Sequence, residues 1–553
     1  MKPPALLIAA ALALPAAWHA AAAEPARPNI IVILVDDMGF SDIGCYGSEI
    51  PTPNLDALAA GGVRFTQFYN TGRCCPTRAA LLTGLYSHQT GVGHMVEDQG
   101  APGYRGRLND QCATFAEVLK PAGYFTAMTG KWHVGQEQGV TPWGRGFERS
   151  LNAPAGGFYQ AGSPRAKLFL NGEAIANDDA RLPKDWYSTD LWTTFGLKFI
   201  DEARAAKKPF FLYLAHNAPH FPLQAPAEEI AKFRGKYQAG WDALRLQRQA
   251  KQIELGIVDK AWPLAPRPDA VKAWDSLKDE RRDHFDYLMA VYAAVVSRMD
   301  RAVGDLVVGL KERGVLDNTL ILFMSDNGGN AESGPGGRAE GDPTKADSDW
   351  FCGESWALLE NTPFRRYKHF NHEGGIATPL IAHWPAVMGK DKETRGKGDT
   401  EKGRVCREPG HVIDIMATCL DVAGAEYPKT FAGRKITPLE GTSLRPLFAS
   451  PHLPLSVSPR PLFWEHEGNA AVRVGDMKLV RAGRNSAWEL YDLAKDRTEQ
   501  HDLTAEQPDK AKELAAKWEA WAERAQVKPY PGNAAPKGGA NKKAKPENAE
   551  SAQ

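Results

Sequence analysis

The chain is poor in cysteine, carries no net charge, and beyond its first residues has no long apolar run. Seven cysteines in 553 residues are too few for a disulfide scaffold. They stand at Cys45, Cys74, Cys75, Cys112, Cys352, Cys406 and Cys419. The adjacent pair makes a poor disulfide because bridging neighbours strains the geometry. No Cys/His spacing suits zinc, and pairing among the other cysteines stays open. Lys+Arg 67 balances Asp+Glu 67, so no whole-molecule field draws nucleic acid or an anionic membrane. Neither is an expected partner. After the leader no segment approaches the roughly 20 apolar residues that a membrane helix needs, so no stable span is expected. There is no internal repeat.

What is present suits a large globular protein with many loops: Gly 52, Pro 39, Trp 15 and 43% hydrophobic residues. The N-terminus, "MKPPALLIAAALALPAAWHAAAAEPARPN", has a lysine, an apolar segment and small residues at Ala21 to Ala23. Residues 1–23 read as a secretory signal peptide, with an anchoring helix as the alternative. The expectation is passage through the export machinery and a periplasmic or secreted mature protein beginning near Glu24. No cysteine in the leader offers a lipid anchor.

Several apolar, β-branched runs end in polar clusters. "NIIVILV" (29–35) ends in "DDMG", "TLILFM" (319–324) in "SDNGG", "KPFFLYLA" in "HNAPH", and "GYFTAMT" in "GKWH". Such runs read as buried parallel strands. An amphipathic helix closed by Gly314 precedes the second. Strands alternating with helices predict an α/β fold with a large, mostly parallel sheet flanked by helices. In such sheets ligands bind at the carboxyl ends of the strands, where every one of these clusters falls. This region is assigned to 24–439. Residues 440–529 change texture, to short antiparallel strands turning at Gly475 and an amphipathic terminal helix, and predict a smaller α+β subdomain. Residues 530–553 are a low-complexity tail expected to be disordered. The charged stretch "GKDKETRGKGDTEKGR" reads as a mobile loop.

The clusters carry chemistry. Neighbouring Asp36 and Asp37 repel unless a hard cation neutralises them, and Asp326 and Asn327 offer more oxygen ligands from a second strand end. Oxygen donors fit Ca²⁺ or Mg²⁺ better than zinc; an ordinary acidic loop is the alternative. Lys131 and His133 flank Trp132, and an extended segment would aim both at one face. His216 and His220 flank a proline-containing turn; either is a proton donor or a group satisfying backbone carbonyls. Lys368 precedes the pair Gly374–Gly375, which predicts close approach of a loop.

In "NTGRCCPTRAALLTG" (70–84), Pro76 fits the first turn of a helix that stops at Gly84. Cys74 and Cys75 then lie at a helix start that favours negative charge, with Arg78 adding positive charge. A thiolate nucleophile, an oxygen nucleophile acting on an anionic ester, and a structural cysteine pair all fit.

The run Cys74-Cys75-Pro76-Thr77-Arg78, four residues, then Thr83-Gly84 resembles the signature of the type I, cysteine-type sulfatases of the alkaline phosphatase-like superfamily. The resemblance continues in order through "NIIVILVDD", "GKWH", "APH", "FMSDNGG" and "YKHFNHEGG" to about Asp502. It implies hydrolysis of aryl or carbohydrate sulfate monoesters to an alcohol and inorganic sulfate. Cys74 would be oxidised to Cα-formylglycine (3-oxoalanine) by a maturing enzyme, and a covalent sulfate ester would form on it. Asp36, Asp37, Asp326 and Asn327, with the modified Cys74, would hold one Ca²⁺, with Mg²⁺ as the second choice. Arg78 and Lys131 would stabilise the aldehyde hydrate and His133 would act as base. Lys368 and His220 would neutralise sulfate oxygens and assist the leaving alcohol, with His220 as acid. His216 matches no catalytic position. Cys75 takes the motif's variable position. The Gly-rich segment after Asn327 and its neighbouring tryptophans are expected to shape the alcohol side. Alternatives are a phosphonate or phosphate ester hydrolase on the same scaffold, or an inactive carbohydrate-binding homologue.

Overall fold

The computed structural model describes residues 27–137, 139–389, 403–455 and 459–531. The signal-peptide assignment, most of the charged loop and all but the first two residues of the tail lie outside them. Among the described residues, no helix is long and apolar enough to cross a membrane.

The apolar runs form one large mixed sheet. Its strand order is Arg404–Cys406, Val63–Tyr69, Ala377–His383, Thr319–Ser325, Asn29–Val35, Phe210–Ala215, Phe125–Lys131, Arg149–Ala153, Leu168–Leu170 and Glu173–Ile175. The five strands from Thr319–Ser325 to Arg149–Ala153 are parallel to one another. Ala377–His383 and Leu168–Leu170 run against their neighbours. The expected parallel centre is therefore present, with antiparallel flanks.

Strand side chains alternate between two cores, as the two-residue period requires. Ile31, Ile33 and Val35 pack on one face with the helices Ser188–Ala205 and Asp279–Glu312. Ile30, Val32 and Leu34 pack on the other with Cys74–Thr83 and Ile413–Ala423. All six are fully buried, which explains the unbroken apolar runs; each such side chain contributes roughly 1.5–3 kcal/mol. Gly314 follows the end of the long helix with φ 66°, as expected of a helix stop.

A second sheet is antiparallel, in the order Pro461–His466, Asn469–Val474, Met477–Arg481, Glu489–Asp492. Gly475, at φ 61°, makes its middle turn. The helix Pro508–Arg524 covers it with Leu514, Trp518, Trp521 and Ala522, one face at helical spacing.

Candidate active site

Four adjacent strands of the parallel centre deliver their carboxyl ends to one place. Asn29–Val35 leads into Asp36–Asp37, and Thr319–Ser325 into Asp326–Asn327. Phe125–Lys131 ends on Lys131, and Phe210–Ala215 runs on to His216 and His220. Hydrogen bonds tie the ends together: Asp326 N–H donates to the Val35 carbonyl at 3.0 Å and Asp36 N–H to the Ala218 carbonyl at 3.0 Å.

Asp37 has left-handed backbone, φ 63°, so the two neighbouring carboxylates serve different partners. Asp36 Oδ2 accepts from Lys131 Nζ at 2.6 Å and lies 3.4 Å from Arg78 Nη2. Asp37 accepts from Asn327 Nδ2 at 2.7 Å, from Asn330 Nδ2 at 2.8 Å and from Lys368 Nζ at 2.9 Å. His220 Nε2 is 3.5 Å from Asp37 Oδ2, and its Nδ1 is 2.5 Å from the Phe221 carbonyl.

Cys74 opens the helix Cys74–Thr83, which is capped at its far end by Gly84 at φ 70°. One turn on, Arg78 shares a face with Cys74. Its Nε and Nη2 donate to Asp326 Oδ2 at 3.1 and 2.7 Å, and its Nη1 donates to the Lys131 carbonyl at 3.1 Å. Cys74 Sγ lies near Cys75 and His133, within 4.8 Å of a ligand atom of each. The hydrogen bond from Cys75 holds the Cys74 thiol well below its usual range; burial opposes this, and Lys131 and His133 assist it. Burial and the Cys74 neighbour push Cys75 well above. All seven cysteines are free.

Asp36, Asp37, Arg78, Lys131, Asp326, Asn327 and Lys368 are almost wholly buried, so their charges need compensation from one another or from a ligand. Burial raises Asp36, yet Lys131, His220 and Arg78 hold it well below the usual carboxylate range. Burial and Asp36 push Asp326 well above that range, against Arg78. Two buried oxygens, Asp36 Oδ1 and Asn327 Oδ1, have no hydrogen-bond partner among the described residues. Crowded carboxylates and orphaned oxygens fit a hard cation, which takes oxygen donors and relieves like-charge repulsion.

The chain matches the sulfatase family model over residues 28–425. It belongs to the sulfatase family. The sulfatase is 36% identical to the arylsulfatase of Klebsiella aerogenes, over 79% of this chain and 95% of that protein. It is 35% identical to an uncharacterised sulfatase of Schizosaccharomyces pombe, over 90% of this chain and 93% of that one. The solved structure of Ps i-CgsB with k-i-k-neocarrahexaose is 26% identical, with a TM-score of 0.66 and coverage of 91% and 98%. The sulfatase is a sulfuric ester hydrolase of the alkaline phosphatase-like fold.

Every site residue that the resemblance implies falls in this centre, but one local expectation needs correction. The strand stops at Lys131 and His133 is left-handed, φ 59°. Lys131 and His133 both face Cys74 because the backbone turns, not because an extended segment alternates. The Gly374–Gly375 pair does allow close approach. A Cβ on Gly374 would lie 2.2 Å from the Arg366 carbonyl oxygen, and one on Gly375 2.0 Å from that of Phe370. His216 is fully buried with both ring nitrogens unpartnered among the described residues, and burial lowers it to about 3; it is a packed ring.

Sequence reasoning missed Asn330 and Glu332. Asn330 binds Asp37, and Glu332 Oε2 lies 3.2 Å from Lys368 Nζ. The signal was present in "SDNGGNAE", where polar residues continue past the strand end. Trp350, one of the tryptophans near that segment, is buried and donates its Nε1–H to the Gly341 carbonyl at 3.0 Å. The rings beside His220 are instead Phe221 and Phe351, stacked 4.1 Å apart, with His220 stacked on Phe221 at 4.1 Å.

Proposed function

We propose that this sulfatase acts through Cα-formylglycine made from Cys74 by a maturing enzyme, beside one Ca²⁺ held by Asp36, Asp37, Asp326 and Asn327 with the modified side chain. The observation that carries this reading is the convergence of Cys74, three buried cations and two orphaned carboxylate and amide oxygens at the strand ends. The hydrated aldehyde would supply an oxygen nucleophile for sulfur, and the cation fixed positive charge.

The chain's own residues then have distinct tasks. Arg78 and Lys131 are locked by Asp326 and Asp36, so their charges are fixed before substrate arrives and need little reorganisation as charge shifts. His133 sits against Cys74 as the base that removes a hydroxyl proton there. Burial keeps it below its ordinary pKa, with Lys131 assisting, so it stands neutral and able to accept. Lys368 and His220 meet at Asp37 and neutralise sulfate oxygens. His220 donates the proton to the leaving alcohol from Nε2. Cationic groups that bind the departing oxygen's charge more strongly than the ground state accelerate cleavage.

Aryl and carbohydrate sulfates both remain substrates to assay, alongside phosphonate and phosphate esters. Faster turnover of the phosphorus esters would displace the sulfate reading. The decisive measurement is the intact mass of peptide 70–84 from active enzyme: one cysteine must have become an aldehyde. Two surviving thiols would overturn the proposed nucleophile. Chelation should abolish turnover, and Ca²⁺ should restore it better than Mg²⁺. The leader supports export, checked by finding the mature N-terminus near Glu24.

A further inference from the structure

Beside this centre lies a second group of ligating side chains that the reaction does not use. His94 Nε2 is 3.0 Å from Glu467 Oε1, His369 Nδ1 is 2.8 Å from Glu467 Oε2, and His466 Nε2 is 3.7 Å from Oε1. Ligand atoms of His369, His466 and Glu467 all lie within 4.8 Å of one another. The His466 ring stacks on His94 at 5.5 Å and meets His369 at 5.8 Å. Three separate chain segments thus bring imidazoles around one carboxylate.

Hydrogen bonding to Glu467 accounts for His94 Nε2 and His369 Nδ1, while His94 Nδ1 has no partner among the described residues. It does not account for His466, which is fully buried yet has no hydrogen bond at either ring nitrogen among the described residues. Burying a polar group without a partner is costly, and here its Nε2 points toward the carboxylate the other rings share.

We propose that His369, His466 and Glu467, with His94 as the neighbouring donor, form a second metal site that takes Zn²⁺ or a similar borderline divalent transition ion. The donor set is imidazole and carboxylate, which suits such ions, whereas the strand-end centre is built of oxygens. His369 presents Nδ1 to the site while its Nε2 lies 3.0 Å from Glu332 Oε1. A carboxylate behind a ligating histidine fixes its tautomer and ring orientation. Arg73 is the opposing charge, since its Nη1 contacts both Glu332 and His369 Nε2. Glu332 and Glu467 together offset it. The side chains of His94, His369 and Glu467 are 24%, 27% and 36% exposed, so an ion can enter from solvent. Glu332 also reaches Lys368, which links this site to Asp37.

The test uses the full chain, stripped with chelator and refilled with excess Ca²⁺ to saturate the oxygen site. Zn²⁺ retained after dialysis is counted, and Co²⁺ alone is titrated while visible absorption is recorded. One equivalent of Zn²⁺ is expected, with a Co²⁺ spectrum of nitrogen and oxygen ligation. Glu467→Gln, an isosteric change on an exposed turn, should weaken Zn²⁺ binding about tenfold or more. Its thermal midpoint checks folding; should it unfold, His369→Gln gives the same reading. Failure of the folded wild-type protein to retain Zn²⁺ would overturn the proposal. So would retention unchanged by Glu467→Gln, or sulfur-to-cobalt charge transfer, the latter putting the ion on Cys74, Cys75 and His133.

Discussion

Cys74 and Cys75 are adjacent and equally buried, yet their thiols are driven in opposite directions. Cys74 faces Lys131 and His133, while Cys75 is burdened by burial and by its neighbour. In the proposed mechanism, conversion to an aldehyde concerns Cys74 alone. Cys74→Ser should lower turnover on the order of 10⁴-fold or more, as removal of a nucleophile does, provided maturation is cysteine-specific. Cys75→Ser should leave measurable activity. Steady-state assays of both variants, with the mass of peptide 70–84, decide this; the reverse pattern would mean that the wrong cysteine has been assigned. At this scale the sequence was most legible where one chemistry recurs at strand ends: Asp36, Asp37, Asp326 and Asn327 announce themselves as oxygen donors after apolar runs. Asn330 and Glu332 continue that polar run, but a Gly-rich loop has no period that says where its side chains point. His133 shows a third case, with the right neighbour reached by a left-handed turn that local pattern does not encode.

Among elements, the strand ends keep their geometry because loops press on them without side chains between. Gly328 N–H donates to the Gly375 carbonyl at 3.0 Å, and a Cβ on Gly328 would lie 2.0 Å from the Gly374 carbonyl oxygen. Gly328→Ala must push these backbones apart, at about 1–3 kcal/mol, and move Asn327 with them. Chemical denaturation should show that loss, with weaker Ca²⁺ binding by calorimetry. Gly389→Ala, with nothing among the described residues within 4 Å of its added Cβ, should stay within roughly 0.5 kcal/mol of wild type. Equal effects would mean that close approach is not what the glycine serves. The second sheet supports the helix start from the other side. Trp464 Nε1 donates to the Asn70 carbonyl at 2.8 Å, and the Trp464 carbonyl accepts from Trp518 Nε1 at 3.0 Å. Trp464→Phe leaves the buried Asn70 carbonyl without this donor, costing about 1–3 kcal/mol; a denaturation midpoint equal to wild type would show that the contact carries no weight. Strands and helices were readable from period and caps. Which of them would meet was not, since Trp464 and Asn70 are joined only by the fold.

Across the whole molecule, the two sheets are fastened by a buried knot of charge. Glu373, just ahead of Ala377–His383, meets Lys478 Nζ at 2.8 Å and Arg497 Nε at 2.8 Å, and accepts from Tyr69 Oη at 3.0 Å. Glu499 closes the group, 2.8 Å from Lys478 and accepting from Glu373 N–H at 3.0 Å. Burial would raise the Glu373 carboxyl, but Lys478 and Arg497 bring it down to about 2. The unfolded chain then binds the proton more readily than the folded one, so this contribution is present above the ordinary glutamate value near 4.5. It is lost as pH falls from there toward about 2, and linkage makes it roughly 3 kcal/mol in all. Glu373→Gln keeps the shape but leaves Lys478 and Arg497 with one carboxylate, so at pH 7 it should destabilise by about 3–5 kcal/mol. The gap between wild type and variant should close on acidification, because the wild-type carboxyl becomes protonated and comes to resemble the amide. Urea midpoints for both proteins at pH 7, 5, 4 and 3 measure this directly. Curves that stay parallel across that range would show that Glu373 is not the charge whose protonation loosens the two sheets.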